Sequence, residues 1–415
     1  MTPTHRAALA FGALAVAAPF VTPWLVLLAA GALASATVVD ALLVRATPRL
    51  RREAPAVVIR RRPAKLRLEL EAPSRGWARV RQPVGPDLRL APGEQRGALD
   101  AELVGLRRGR HPLPRPVVRL RGPFGLGAWT HRVGEAAELV VYPDLPGARR
   151  LAAAVRRGRF REEGRRTRGP LGLGTDFETL RDYSPDDDVR QVNWLATARL
   201  GRPISNQFRL ERDRDVICLV DCGRLTAAPL GESTRLDITI DAAVAVATVA
   251  EALGDRCGAL AFDAEIRRAV APRRAGARHV VGALFDLEPI AVDSDYERAF
   301  RELTRPKRAF LLVLTDLIEP TAARSLVEAL PVLTRHHAVA VGAVADPELA
   351  ALATAEPRSV QDVYRAAVAL QVLRARAEAA THLRHAGADV IEAPPERFAA
   401  RCVSAYLRAK ARARL

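Results

Sequence analysis

The sequence predicts a three-part chain: an N-terminal transmembrane helical hairpin, a β-sandwich-like domain, and an α/β domain on a mostly parallel sheet. Three observations predict it. Residues 7–39 carry no charged side chain, residues 55–146 hold short alternating runs broken by Pro and Gly, and from residue 216 apolar runs alternate with helix-like ones. With 415 residues, 49% of them hydrophobic and 27% charged, the chain has room for roughly two to three domains and the composition of a folded protein.

The hairpin is expected over residues 1–46. A single helix over 7–39 would reach ~50 Å at ~1.5 Å per residue, well beyond a ~30 Å hydrocarbon core. Pro19 and Pro23 divide the stretch into two short apolar helices, with Trp24 suited to the membrane interface. Arg6 flanks one end and Arg45, Arg49, Arg51 and Arg52 the other, so the positive-inside rule puts both ends, and the soluble domains, in the cytoplasm of a membrane-bound protein. Two other readings stand beside it. One is a cleaved signal peptide ending at Ala34-Ser35-Ala36, although its apolar run exceeds the usual ~7–15 residues; the other is a single tilted span.

A basic β-rich domain is expected over 53–146. Val57-Val58-Ile59, Leu66-Arg67-Leu68-Glu69-Leu70, Val117-Val118-Arg119-Leu120 and Leu139-Val140-Val141-Tyr142 alternate as strands of an antiparallel sandwich do. The formal net charge of the chain is +17, and residues 45–170 alone hold 30 bases against 12 acids. Directly after a membrane hairpin, such an excess favours an anionic membrane surface as partner, where each base is worth about 1 kcal/mol. Compositional arginine bias is the plainer account. Nucleic-acid binding is disfavoured, because only Trp77, Phe124, Trp129 and Tyr142 are available in this segment to stack on bases.

Residues 147–214 read as an arginine-rich linker followed by a dense string, 174–199, in which acids, arginines and aromatics alternate without period. Such a string suits a structural clasp, with Arg181, Arg190 and Arg199 on carboxylates among Asp182, Asp186, Asp187 and Asp188, and with Tyr183 and Trp194 packed beneath. Residues 215–415 read as the α/β domain. Strand-like segments at 216–220, 257–262, 309–314, 338–344 and 389–391 alternate with helix-like ones at 237–253, 322–330, 360–385 and from 397. Ligands of such sheets sit beyond the carboxyl ends of the strands, and here Asp221, Asp263 and Asp316 stand there.

The string resembles the hallmark of the bacterial family called domain of unknown function fifty-eight, roughly G-x-E-F-x-x-L-R-x-Y-x-x-G-D-x-x-R-x-I-D-W-x-x-x-A-R. Phe177, Leu180, Arg181, Tyr183, Asp187, Arg190, Trp194, Ala198 and Arg199 match it, whereas Asp176, Asp186 and Asn193 replace Glu, Gly and Asp. Arg108-Gly109-Arg110-His111, Pro123-Phe124-Gly125-Leu126 and Val141-Tyr142-Pro143 extend the likeness, with Gly122 where the family usually has Asp.

The resemblance implies a von Willebrand factor A-like fold for the last domain. Domains of that kind commonly hold Mg²⁺ through D-x-S-x-S, a middle-loop threonine and a later aspartate. This chain has Asp221, Gly223 and Leu225 at the first set and Asp316, preceded by Thr315, at the last, so a degenerate site at Asp221 and Asp316 is expected. Arg224 is a candidate to replace the cation by pairing with Asp221. The resemblance also implies a MoxR-type AAA+ ATPase as partner in envelope or stress functions.

Enzyme signatures are missing from the sequence. There is no G-x-x-x-x-G-K-[ST], no H-E-x-x-H and no G-x-S-x-G; His382 and His385 lack a third ligand; and Cys218, Cys222, Cys257 and Cys402 form no C-x-x-C pair, which fits a reducing compartment. The expectation is a non-enzymatic adaptor without cofactor that binds another protein. The alternatives are a Mg-dependent binding module and a hydrolase using Asp221, Asp263 and Asp316.

Overall fold

The computed structural model describes residues 1–71, 77–162, 165–166, 176–184, 192–209, 213–303, 307–316 and 320–411. Two compact units divide the chain, Met1–Tyr142 and Pro143–Leu415.

In the first unit, strand β1 (Thr2–Pro3) leads into helix α1 (His5–Ala17), and helix α2 (Pro23–Leu42) follows a short 3-10 turn at Ala18–Phe20. The break falls where the prolines put it: Pro19 lies in the turn and Pro23 takes the first helical position, where its missing N–H costs nothing. By length and composition, α2 is long and apolar enough to cross a membrane, and His5–Phe20 is a shorter apolar helix. Leu9, Val16, Phe20, Trp24, Leu27 and Leu28 are all exposed, so neither helix is a core helix of this unit.

Three sheets follow. Strands β2 (Leu50–Glu53), β4 (Pro63–Leu70), β8 (Leu99–Gly105) and β6 (Leu88–Ala91) form one, in that order. A second places β3 (Val57–Ile59), β12 (Ala137–Tyr142) and β9 (Gly109–Leu113) side by side. The third runs β1, β11 (Gly127–Arg132), β10 (Val117–Arg121), β5 (Ala78–Arg81), β7 (Glu94–Arg96). Period-two burial drives them: Leu66 and Leu68, Leu99 and Leu103, and Val118 and Leu120 turn inward to one core while the residues between face out. The pair β3–β12 is parallel, which departs from the all-antiparallel expectation.

Both ends of the helical pair are fastened to the same sheet. The Thr4 amide bonds the Leu126 carbonyl at 2.9 Å, and at the end of α2 the wholly buried Asp40 accepts the amides of Phe124 (3.0 Å), Leu126 (2.7 Å) and Gly127 (2.8 Å). Gly122 is required here, since a Cβ on it would lie 2.1 Å from Asp40 Oδ1.

The second unit opens with helix α3 (Leu145–Arg156), which runs across the start of the stretch read as a linker; its Ala148, Ala152 and Val155 are buried. Short strands β13 (Arg161–Glu162) and β14 (Arg165–Arg166) pair, as do β15 (Asp176–Asp182) and β16 (Ile204–Arg209), with helix α4 (Trp194–Leu200) between the latter two. Among the described residues the main sheet has six strands. In order these are β21 (Ile266–Arg273), β20 (Arg256–Phe262), β17 (Asp215–Asp221), β22 (Ala309–Leu314), β23 (Ala338–Val344) and β24 (Asp389–Ala393), with a two-strand turn, β18 (Pro229–Leu230) and β19 (Ser233–Thr234), after β17.

All neighbours in the main sheet are parallel except β20–β21. Strands β17 and β22 are buried along their whole length, which is why they read as unbroken apolar runs. Among the described residues, seven helices accompany this sheet: α5 (Arg235–Ala252), α6 (Ala277–Leu284), α7 (Tyr296–Glu302), α8 (Pro320–Thr334), α9 (Pro347–Thr354), α10 (Val360–His385) and α11 (Pro395–Ala411). Thr234 and Asp237 close a capping box on α5, fixing where that helix starts.

Candidate functional site

The carboxyl ends of β17 and β22 bring the strand-end acids to neighbouring positions, and each acid is enclosed by a different kind of donor. Asp221, only 2% exposed, is held by hydroxyls and an amide. Ser294 Oγ donates to its Oδ1 at 2.5 Å, as does the Gly223 amide at 2.8 Å; Thr315 Oγ1 (2.6 Å) and the Tyr296 hydroxyl (3.0 Å) donate to Oδ2. Tyr296 Oη and Thr315 Oγ1 also meet at 2.7 Å. Burial first, then the charge of Asp221, holds the Tyr296 phenol well above its usual value, so it stays protonated and able to donate.

Asp316 is enclosed by arginines. Its Oδ2 lies 3.0 Å from Arg235 Nε and its Oδ1 2.8 Å from Arg376 Nη2, with all three side chains nearly inaccessible. Arg235 begins α5 and also reaches Asp346 at 3.0 Å, while both guanidinium groups donate to the Val344 carbonyl. Burial lowers the Arg235 pKa and Arg376 adds to that, but Asp316 and Asp346 oppose the shift. Two acids and two arginines thus neutralise one another beyond the ends of β22 and β23.

Two expectations need correction. Arg224 pairs with Asp293, at 2.5 Å, and not with Asp221; the loop at 292–294 stands between them, and Ser294 has taken the carboxylate. Trp194 does not pack beneath the signature string. It is 69% exposed, with Leu195 at 67%, because α4 has seven residues on a two-stranded hairpin that leaves one face open.

Elsewhere in that string Asp182 pairs with Arg202 at 3.0 Å, and Arg181 donates to the Asp182 carbonyl at 3.4 Å. Tyr183 is half-buried, its amide on the Pro203 carbonyl, and Arg199 is exposed. Asn193 caps α4 through its side chain, the task an Asp would perform. Phe177 pairs with Phe208 through the backbone, whereas Asp187 and Arg190 lie outside the described residues.

A Mg²⁺ ion does not fit this donor set. A hard cation needs about six oxygens in near-octahedral array, yet both Asp221 oxygens already accept protein donors and Asp316 is committed to two buried guanidinium groups. Asp263, at the end of the neighbouring β20, has partners of its own, its Oδ1 on the Glu265 amide and its Oδ2 3.6 Å from Arg267. Among the described residues no three His, Cys, Asp or Glu side chains are placed to share a metal. The cysteines are buried free thiols, and burial pushes Cys218 up to about 12, so it is no thiolate near neutral pH.

Beside Ser294 a groove of about 800 Å³ opens between α7 and α8. Phe300, Ala329 and Val332 supply its apolar lining, Asp293, Asp295, Glu297 and Glu328 its acids, and Arg301, paired with Glu297, a base among them. Asp221 and Asp316 were legible in the sequence as acids ending apolar runs. Ser294, Tyr296, Arg235 and Arg376 were not, although hydroxyls in the acid-rich string Asp293-Ser294-Asp295-Tyr296 were a usable signal.

A family model described as "Protein of unknown function DUF58" matches residues 179–388, which include most of the signature string and both enclosed acids. Two curated relatives, uncharacterized protein Rv1480 of Mycobacterium tuberculosis and uncharacterized protein Mb1516 of Mycobacterium bovis, are each 28% identical over 156 residues, covering 36% of this chain and 49% of theirs. The chain therefore spans about half the length of the curated relatives it matches.

Proposed function

The chain belongs to the DUF58 family of proteins of unknown function, and on that premise we propose that it is a membrane-anchored, non-enzymatic adaptor whose α/β domain binds another protein. The observation that carries this reading is that Asp221 accepts four protein donors while Asp316 is ion-paired with two buried arginines. An acid that accepts three hydroxyls and an amide, beside one locked between two arginines, offers no free base, nucleophile or metal ligand. On this reading the α/β domain is a von Willebrand factor A-like fold in which Ser294 takes the place of the middle-loop threonine. Its metal site has become a fixed structural cluster.

Binding then falls to the groove beside the cluster, whose acids favour a basic partner surface around an apolar anchor. The family resemblance makes a MoxR-type AAA+ ATPase the partner to test. Helices α1 and α2 serve as a two-span membrane anchor that leaves the soluble units cytoplasmic, in keeping with Arg6 and the bases from Arg45 to Arg52.

The test is a titration of the purified full chain in neutral detergent with a MoxR-type ATPase from the same cell, read by thermophoresis with and without EDTA. The expected result is binding that ignores EDTA and weakens about tenfold, or ~1.4 kcal/mol, in Glu328→Lys. Binding that EDTA abolishes and Mg²⁺ restores would overturn the metal-independent reading, and no binding would remove this partner.

A further inference from the structure

In the first unit, the sheet that receives the foot of the helical pair carries an unusual arrangement on its outward face. Cross-strand register sets Arg119 of β10 directly opposite Arg79 of β5, and Arg79 directly opposite Arg96 of β7. Residues paired in this way point to the same face, so three guanidinium groups form one row across three strands. Arg121 lies two residues along from Arg119 and shares that face, while Val118, Leu120 and Val80 turn inward to the core. Among the described residues of these strands the one acid on the face is Glu94, which pairs with Arg79 at 2.9 Å.

Like charges directly opposite one another destabilise a sheet, so this row works against the fold that contains it. The repulsion reaches Arg121, whose pKa is lowered first by burial and then by the charges of Arg119, Arg79, Arg96 and Arg6. A compositional preference for arginine accounts for their number but not for three of them in register. Cations held together against their own repulsion mark a site for an anion.

The position of the row selects the anion. Strand β1 pairs with β11 on this sheet and runs through Thr4 into α1, and Arg119 reaches the Thr2 hydroxyl at 3.5 Å. Arg6 lies in the first turn of α1, and Phe124, 68% exposed, sits on the loop that grips the end of α2. Trp77, 67% exposed, lies under the Arg96 guanidinium at 5.4 Å from its ring centre. Arginines and aromatics at the foot of an apolar helical pair match the bilayer interface, where phosphates stand above acyl chains.

We infer that the outward face of this sheet, built on Arg96, Arg79 and Arg119 and completed by Arg121 and Arg6, binds the phosphates of anionic phospholipids at the membrane surface. The inference rests on reading α1 and α2 as a membrane anchor. It adds to that reading a preference among lipids, located in named side chains.

The test uses the full chain in neutral detergent, titrated with phosphatidylglycerol or phosphatidylcholine and followed by native mass spectrometry. Each base near anionic lipid is worth roughly fivefold in affinity. Wild type should therefore hold phosphatidylglycerol at least ~10-fold more tightly than phosphatidylcholine. The combined variant Arg79→Gln, Arg96→Gln, Arg119→Gln should lose most of that preference, about fivefold for each base removed, while melting no lower than wild type, because it also removes the repulsion. If the triple variant is less stable, the single Arg119→Gln serves, with a loss of about fivefold.

Carbonate extraction of native membranes separates the two readings. Full extraction of the chain sinks the anchor and this site with it. Carbonate-resistant chain that binds both lipids equally overturns the lipid site alone. Binding of a single-stranded RNA oligonucleotide that the triple variant loses, without any lipid preference, assigns the face to nucleic acid and overturns it as well.

Discussion

Gly223 determines what surrounds Asp221. A Cβ at this position would lie 2.3 Å from Ser294 Oγ and 2.9 Å from the Val292 carbonyl, so the serine that the A-like pattern would put here cannot coexist with the observed loop. Gly223→Ser should therefore destabilise the α/β domain by ~1–3 kcal/mol, as overpacking of a filled site does. Calorimetry should show its melting temperature several degrees lower, and adding Ser294→Gly should recover part of the loss. An unchanged melting temperature would mean that the loop yields and the enclosure of Asp221 is not fixed. The acids themselves were legible in the sequence because each closes a buried apolar run. Their partners were not: Ser294 reaches Asp221 across 73 residues and Arg376 reaches Asp316 across 60, and tertiary packing alone brings them together.

Among elements, α2 is tied to a neighbour it does not adjoin in sequence, the loop ahead of β11. The family resemblance leads one to expect an aspartate at 122, ahead of Pro123 and Phe124; here residue 122 is glycine, and a carboxylate arrives in the same space from Asp40. Hydrogen bonds to a charged group are worth ~1.5–3 kcal/mol each, so Asp40→Ala, which leaves three amides without their acceptor, should loosen the loop it grips. Hydrogen exchange at Phe124, Leu126 and Gly127 should speed up by about tenfold or more, equivalent to at least ~1.4 kcal/mol. Unaltered exchange would remove Asp40 from this role. The longer elements were readable as unbroken apolar runs, in β17 and β22, or as long stretches without Gly or Pro, in α5 and α10. Strand β21 was missed because Arg267, Arg268 and Arg273 make it resemble a loop, and α7 because seven residues span too few turns for a period to emerge.

At the scale of the molecule, the charge excess in residues 45–170 and the near balance after them were visible in the sequence, as was the apolar start. The chain divides into two compact units after Tyr142, and most of α3, whose arginines mask its small buried face, lies in the stretch 147–214 read as a linker. A reporter active only in the periplasm, fused after Leu415, should give no signal if both ends of the helical pair are cytoplasmic. A strong signal would require a single span. The grip of Asp40 also bears on how the protein is made. Its amide partners lie 84 to 87 residues further along the chain, so the ribosome delivers the apolar helices well before the loop that holds them. If the helices enter the bilayer as they emerge, the β-rich unit must close at the membrane surface. Chains whose helices fail to insert would then keep an open loop and apolar helices in the cytosol, ready substrates for proteases, so biogenesis would discard misplaced copies without a dedicated signal.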